Sequence, residues 1–290
     1  MEYAYFPGCS LESTAKEYDM STREICNALG IELQEIKDWN CCGATSVTSV
    51  SKVNASALPA RNMAFAEKKG QDIVTPCNAC FNKLKKAHSK LEENPELKEK
   101  ISKVLKSEEG IEYTGGLKIH HILDVIATVP IDKLKNKIVK SLKDLKVVPY
   151  YGCLIVKAPQ FMDSENPDRP MFMDNLVEAI GAKAVEFDLK TRCCGGPVTF
   201  TQEAVQLKLT GDILKRAKEM EADCLVVPCP MCHYSLDAKQ EDVEKFIGEK
   251  INMPILYITQ LIGLALGIET KKLGLKKNIV DAKRVLEAVV

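Results

Sequence analysis

Ten of the 12 cysteines in this 290-residue chain fall into two copies of one pattern: Cys9, the adjacent pair Cys41-Cys42, then Cys77 and Cys80, repeated as Cys153, Cys193-Cys194, Cys229 and Cys232. Cys42 and Cys77 lie 35 positions apart, as do Cys194 and Cys229, whereas the first gap is 32 in one copy and 40 in the other. The neighbours repeat as well: Gly8-Cys9 with Gly152-Cys153, Cys-Cys-Gly at 41–43 and 193–195, and Pro-Cys-x-x-Cys at 76–80 and 228–232. Thiols at such fixed spacing are ligands for zinc or iron, or redox nucleophiles.

Each option uses the cysteines differently. A disulfide framework is poorly motivated, because a chain of this length can bury a core without staples and adjacent cysteines rarely bridge. Structural zinc needs four donors and leaves one cysteine over in each copy, which keeps a zinc scaffold open. A thioredoxin-like pair at Cys77 and Cys80 leaves Cys9 and Cys41-Cys42 without a purpose. An iron-sulfur cluster with more thiolate ligands than a cubane uses all five, and Gly8, Gly43, Gly152, Gly195 and Gly196 would let backbone amides approach sulfide.

The elements that must carry these residues read as alternating strands and helices. An apolar strand (3–6; 147–151) ends at each Gly-Cys turn, and a helix follows with apolar steps of three and four that stop at Gly30 and Gly181. A short strand (32–36; 183–187) leads to Cys-Cys-Gly, a helix runs to about Lys69 or Met220, and a strand (72–75; 225–227) enters each Cys-x-x-Cys. Residues 118–126 echo 254–262 as a last strand and helix, while 81–117 holds Lys- and Glu-rich helices and a 16-residue insertion. The expected fold class is α/β: two homologous domains related by a pseudo-twofold axis, each with a small parallel sheet and flanking helices, and ligand cysteines at the strand C-terminal ends. The expected boundaries are 1–135, 146–270 and a C-terminal helix over 271–290, where Ile279, Ala282, Leu286 and Val289 form a stripe.

Forty basic and 40 acidic residues leave no net charge to favour nucleic acid or anionic lipid. The N-terminus lacks a secretory pattern and the longest apolar run, 255–268, is too short to span a bilayer, so no direct membrane insertion and a cytoplasmic location are expected. Cys26 and Cys224 fall outside the repeat and read as packing residues.

The doubled five-cysteine motif resembles the heterodisulfide reductase B-subunit family of CCG-domain proteins, across essentially the whole chain to about residue 265. The resemblance implies two non-cubane [4Fe-4S] clusters, one on Cys9, Cys41, Cys42, Cys77 and Cys80, the other on Cys153, Cys193, Cys194, Cys229 and Cys232. It implies an oxidoreductase that reduces the mixed disulfide of coenzyme M and coenzyme B to two thiols, the final step of methanogenesis. Two clusters suit a two-electron cleavage, because each could serve one sulfur. His233 is a candidate proton donor to a departing thiolate, with a hydrogen-bonded helix-start residue as the alternative. Lys157, Arg169, Lys190 and Arg192 are candidate partners for the substrate's anionic groups. No ferredoxin, dinucleotide or haem motif is present, so electrons must arrive from another polypeptide. By resemblance this is a ferredoxin-like C subunit fed by a flavin-containing A subunit, with a hydrogenase or formate dehydrogenase in an electron-bifurcating complex. The same repeat occurs in iron-sulfur subunits of lactate, glycolate and quinone-linked oxidoreductases.

Overall fold

The strand order of each half explains where its cysteines lie. The computed structural model describes residues 1–44, 47–143, 145–158 and 166–289. The first half contains β1 (Glu2–Tyr5), α1 (Cys9–Glu12), α2 (Lys16–Leu29), β2 (Glu32–Glu35), α3 (Val47–Val50), α4 (Asn54–Lys68), β3 (Ile73–Thr75), α5 (Asn78–Glu93), α6 (Pro95–Glu109), β4 (Ile119–His121) and α7 (Ile122–Ala127). A connecting helix α8 (Ile131–Lys135) leads to β5 (Lys146–Pro149), α9 (Cys153–Val156), α10 (Phe172–Ala179), β6 (Lys183–Ala184), α11 (Glu203–Glu219), β7 (Cys224–Val227), α12 (Pro230–His233), α13 (Gln240–Ile247), β8 (Ile255–Tyr257), α14 (Ile258–Ala265) and α15 (Lys283–Glu287).

The sheets have the orders β2-β1-β3-β4 and β6-β5-β7-β8, with every pairing parallel. In such an order the chain leaves β1 toward one edge and returns to β3 to build toward the other, so a crevice opens at the carboxyl ends of the two central strands. Cys9 follows β1 and Cys77 follows β3; Cys153 follows β5 and Cys229 follows β7. The central strands are covered on both faces, with Ile73–Thr75 and Cys224–Val227 buried throughout, as their continuous apolar and β-branched runs require. Helix α2 stops at Gly30 in the left-handed conformation, φ 75°.

The two domains meet through α2 and α14, and through α5 and α9. Tyr18 stacks on Tyr257 with ring centroids 4.0 Å apart, His233 stacks on the other side of this pair at 4.3 Å, and the Ser21 and Thr259 hydroxyls are 2.7 Å apart.

Two expectations need correction. The strand expected over 183–187 is only two residues long. The helix expected over 271–290 reduces to Lys283–Glu287, with one 3₁₀ turn at Leu275–Lys277. Its periodic stripe loses to stronger local bonds: Gly274 sits at φ 67°, Asn278 Nδ2 donates to the Ile255 carbonyl at 2.7 Å, and the Ile279 and Val280 amides donate to the buried Asp237 carboxylate at 2.7 and 2.9 Å. Ile279, assigned to the stripe, is 70% exposed. Leu273 packs fully buried on Gly263 of α14 while Gly274 lies against Glu17 of α2, so the segment straps the two domains.

Candidate iron-sulfur sites

Each site is assembled from three turns. The strand-to-helix turn after β1 or β5 places a glycine at φ 74° or 71° with extended ψ, conformations closed to residues with a Cβ, and the cysteine after it opens a short helix. A Cβ on Gly8 would lie 2.9 Å from Cys80 Sγ, and one on Gly152 would lie 2.8 Å from Cys232 Sγ. The missing side chain therefore makes room for the last sulfur of the same repeat. In the Cys-x-x-Cys turn, Cys77 and Cys229 precede their helices and Cys80 and Cys232 lie in the first turn, so both sulfurs face the crevice beside helix N-termini.

The Cys-Cys-Gly loops are held by neighbouring helices. Asn62 of α4 brackets Asn40, accepting from its amide at 2.9 Å and donating to its carbonyl at 2.8 Å. In the second repeat Thr210 of α11 donates to the Cys194 carbonyl at 2.8 Å, and Tyr150 Oη donates to the Arg192 carbonyl.

The structure brings all five cysteines of each repeat together. Cys42 Sγ and Cys80 Sγ are 3.4 Å apart, and Cys9 with Cys41, Cys41 with Cys42, and Cys77 with Cys80 lie close enough to shift one another's acidity. In the second repeat Cys153 and Cys193, Cys194 and Cys232, and Cys229 and Cys232 stand in the same relation as free thiols. Cys77 and Cys229, both free thiols, also perturb each other's acidity, so the two sites adjoin across the domain interface. Each site has an accessible edge and a buried interior: Cys9 and Cys41 are exposed, Cys153 and Cys193 half-buried, and the other six buried.

Crowding drives the thiols apart in acidity. The hydrogen bond to Cys41, then burial, pushes Cys9 far up, while bonds from Cys42 and Cys9 hold Cys41 well down. Cys193 is lowered to about 6, chiefly by its bond from Cys153 and with help from the Gly195 amide and Lys157. Backbone amides aim at sulfur throughout, from Gly43 to Cys41 at 3.5 Å, Gly195 to Cys193 at 3.4 Å and Gly196 to Cys194 at 3.4 Å. Five thiolates this close repel unless cationic centres lie among them. The all-sulfur donor set, the glycine cradles and the N–H···S bonds fit an iron-sulfur cluster in each repeat. Among the described residues no group of three or more His, Cys, Asp or Glu is arranged to hold a single metal ion.

The other candidate residues separate clearly. His233 is 5% exposed, its Nε2 lies 3.1 Å from the Ile255 carbonyl, its ring stacks on Tyr257, and burial lowers its pKa to about 4. Its Nδ1 lies 3.9 Å from the Asp237 carboxylate, so the ring is held on both sides, as the hydrogen-bonded alternative expects. Lys190 is buried in an ion pair with Asp174 at 2.7 Å and donates to the Pro170 carbonyl, so it holds the fold instead of offering a free charge. Arg169 pairs with Glu186, and Arg192 lies 3.8 Å from Asp212. Lys157 lies near enough to the second site to favour the Cys193 thiolate and to offset a small part of the rise imposed on Cys153.

Lys83 has the matching relation to Cys42 in the first repeat, and its ammonium donates to Thr48 at 2.7 Å. Its position three residues after Cys80, one helical turn on, was the available signal. Asn78 and His121 also lack a repeat counterpart that would have singled them out: Asn78 Nδ2 donates to the Tyr151 carbonyl at 2.9 Å, and His121 Nε2 lies 2.9 Å from the Pro76 carbonyl.

Comparison with known proteins agrees with this geometry. The family model of the cysteine-rich CCG domain matches residues 3–85 and 147–237. The chain is 36% identical to the 8-methylmenaquinol:fumarate reductase membrane anchor subunit of Wolinella succinogenes, over 98% of this chain and 99% of that one. It is 34% identical to the B subunit of the ferredoxin/F420H2-dependent CoB-CoM heterodisulfide reductase of Methanosarcina acetivorans, over 95% of this chain and 93% of that one. Among solved structures, a hypothetical protein from Helicobacter pylori shares the fold with TM-score 0.78 at 15% identity, covering 97% of this chain and 52% of that longer one. No helix among the described residues is long and apolar enough to cross a membrane. With both family matches falling on the two five-cysteine sites, the chain belongs to the CCG-domain iron-sulfur proteins, the family of the heterodisulfide reductase B subunits.

Proposed function

We propose that the chain is the substrate-converting subunit of a multi-subunit oxidoreductase, holding two non-cubane [4Fe-4S] clusters and reducing the mixed disulfide of coenzyme M and coenzyme B. The observation that carries this reading is the pair of five-cysteine groups, each with an accessible edge, in two domains that pack together through α2 with α14 and α5 with α9. Opening the disulfide consumes two electrons and two protons and yields two thiols. When bound, the clusters supply single electrons to substrate sulfur.

The chain's own residues do the rest. The exposed Cys9 and Cys41 edge and the half-buried Cys153 and Cys193 edge leave each site reachable from solvent. Lys83 and Lys157 put one cation beside each site, where an anionic substrate group would be held. His121 and His233 are buried and engaged with backbone carbonyls, so solvent at the accessible cysteine edges is the proposed source of the two protons. Electrons arrive through partner subunits, for which a ferredoxin-like C subunit and a flavin-containing A subunit, with a hydrogenase or formate dehydrogenase behind them, are the proposed route. A cytoplasmic complex is proposed with them.

The Wolinella relative favours a second reading, in which a quinol replaces the thiol pair as the two-electron partner. Electron paramagnetic resonance of the fully clustered protein under mild oxidation separates the two. A new signal that appears with coenzyme M and not with a menaquinol supports the disulfide reaction. A response to the quinol alone moves the assignment to quinol oxidation, and zinc without acid-labile sulfide rejects both.

A further inference from the structure

We propose that Asn78, which lies within the first repeat's Cys-x-x-Cys turn, is a positioning residue for the second repeat's cluster, so that the second site is completed only against the first domain. The inference rests on the iron-sulfur reading of both sites.

Three first-domain side chains donate hydrogen bonds to second-domain carbonyls beside ligand cysteines. Tyr18 Oη bonds Pro228, just before Cys229, at 3.0 Å; Asn78 Nδ2 bonds Tyr151, two residues before Cys153, at 2.9 Å; and Asn82 Nδ2 bonds Leu154, just after it, at 2.9 Å. Among the described residues no second-domain side chain returns such a bond to the backbone flanking the first repeat's cysteines. The dependence runs one way.

Asn78 is the critical member because of what its acceptor precedes. Gly152, at φ 71°, is the residue whose missing Cβ admits Cys232 Sγ. The Tyr151 and Gly152 amides are fixed by the Lys190 carbonyl at 2.9 and 3.0 Å, and the Tyr151 carbonyl between them is fixed by Asn78. Without that donor the 151–152 peptide is held through its Gly152 amide alone, next to a glycine with no Cβ to restrict it, and the cradle for Cys232 and the start of the Cys153 helix lose one of their two anchors. Asn78 is 1% exposed and its Oδ1 has no partner, so its side chain makes this bond and no other. The corresponding residue of the second repeat is Pro230, whose side chain cannot donate.

The test uses two backgrounds of the full chain, Cys41→Ser with Cys42→Ser to leave only the second site, and Cys193→Ser with Cys194→Ser to leave only the first. Asn78→Ala and the isosteric Asn78→Asp are introduced into each, reconstituted anaerobically, and assayed for iron, acid-labile sulfide and paramagnetic signal. Expected is a severalfold loss of iron and sulfide in the second-site background with the first-site background unchanged. Ser21→Ala, which breaks a cross-domain bond away from any ligand, serves as the control and should leave both intact. Retention of second-site iron by both Asn78 variants overturns the proposal. So does a loss confined to the first site, or a loss that Ser21→Ala reproduces. If the unsubstituted protein binds zinc without sulfide, the reading of the sites fails; if it holds iron and sulfide, a negative result counts against Asn78 alone.

Discussion

At the scale of single residues, the two glycines before Cys9 and Cys153 are constrained both by a positive φ and by a sulfur of their own repeat. Gly8→Ala and Gly152→Ala each force a Cβ into contact with a ligand sulfur and add backbone strain of about 1–3 kcal/mol. Each should deplete the iron of its own repeat and spare the other, as iron and sulfide analysis would show. His121 sets a pH limit. Burial lowers its pKa to about 3, and its neutral Nδ1 accepts from the Leu123 amide at 3.2 Å. The unfolded ring binds its proton near pH 6.5, so between about 6.5 and 3 the unfolded state takes up more protons and stability falls with acidification, while above that window it is flat. His121→Gln should be less stable at pH 7 yet lose this slope, which urea titrations at stepped pH would reveal. The cysteine pattern made the two five-cysteine groupings legible because it occurs twice. Asn78 was hidden because its partner lies in the other domain, whereas Lys83 was signalled by its place one turn after Cys80 although its partner Thr48 lies 35 positions away in α3.

At the scale of elements, strands and helices could be read wherever one periodicity was free of competition. The buried runs at 73–75 and 224–227 could only be central strands, and the helix stopping at Gly30 followed its apolar steps. The C-terminal segment shows the limit of that signal. Its stripe has helical spacing, but Asp237 and Asn278 offer the backbone and its surroundings bonds that a helix would forfeit, and no count along the sequence weighs a carboxylate some 40 positions away. The strap is structural all the same. Leu273→Ala should cost roughly 2–5 kcal/mol in chemical denaturation, because the leucine is fully buried where α14 and α2 meet.

At the scale of the whole molecule, two sheets of one topology present their cysteine groups toward a common interface, and under the proposed function both groups serve one substrate. Removing a single site, as in Cys193→Ser with Cys194→Ser, should leave a protein that still takes up electrons in a stoichiometric titration but no longer turns over a two-electron substrate. The repeat made the two-domain plan legible, and the strand order then dictated which strand ends would face each other. The asymmetry of the interface was beyond reach, since the repeat predicts equal halves and the side-chain donors run only from the first to the second. That asymmetry bears on ancestry. A chain assembled from two copies of the second half would carry Pro230 where Asn78 must donate, and so could not build the Tyr151 turn on either side. Whatever symmetric pair preceded this protein, its descendants have divided the labour of construction between them, and the duplication can no longer be undone by discarding the first copy.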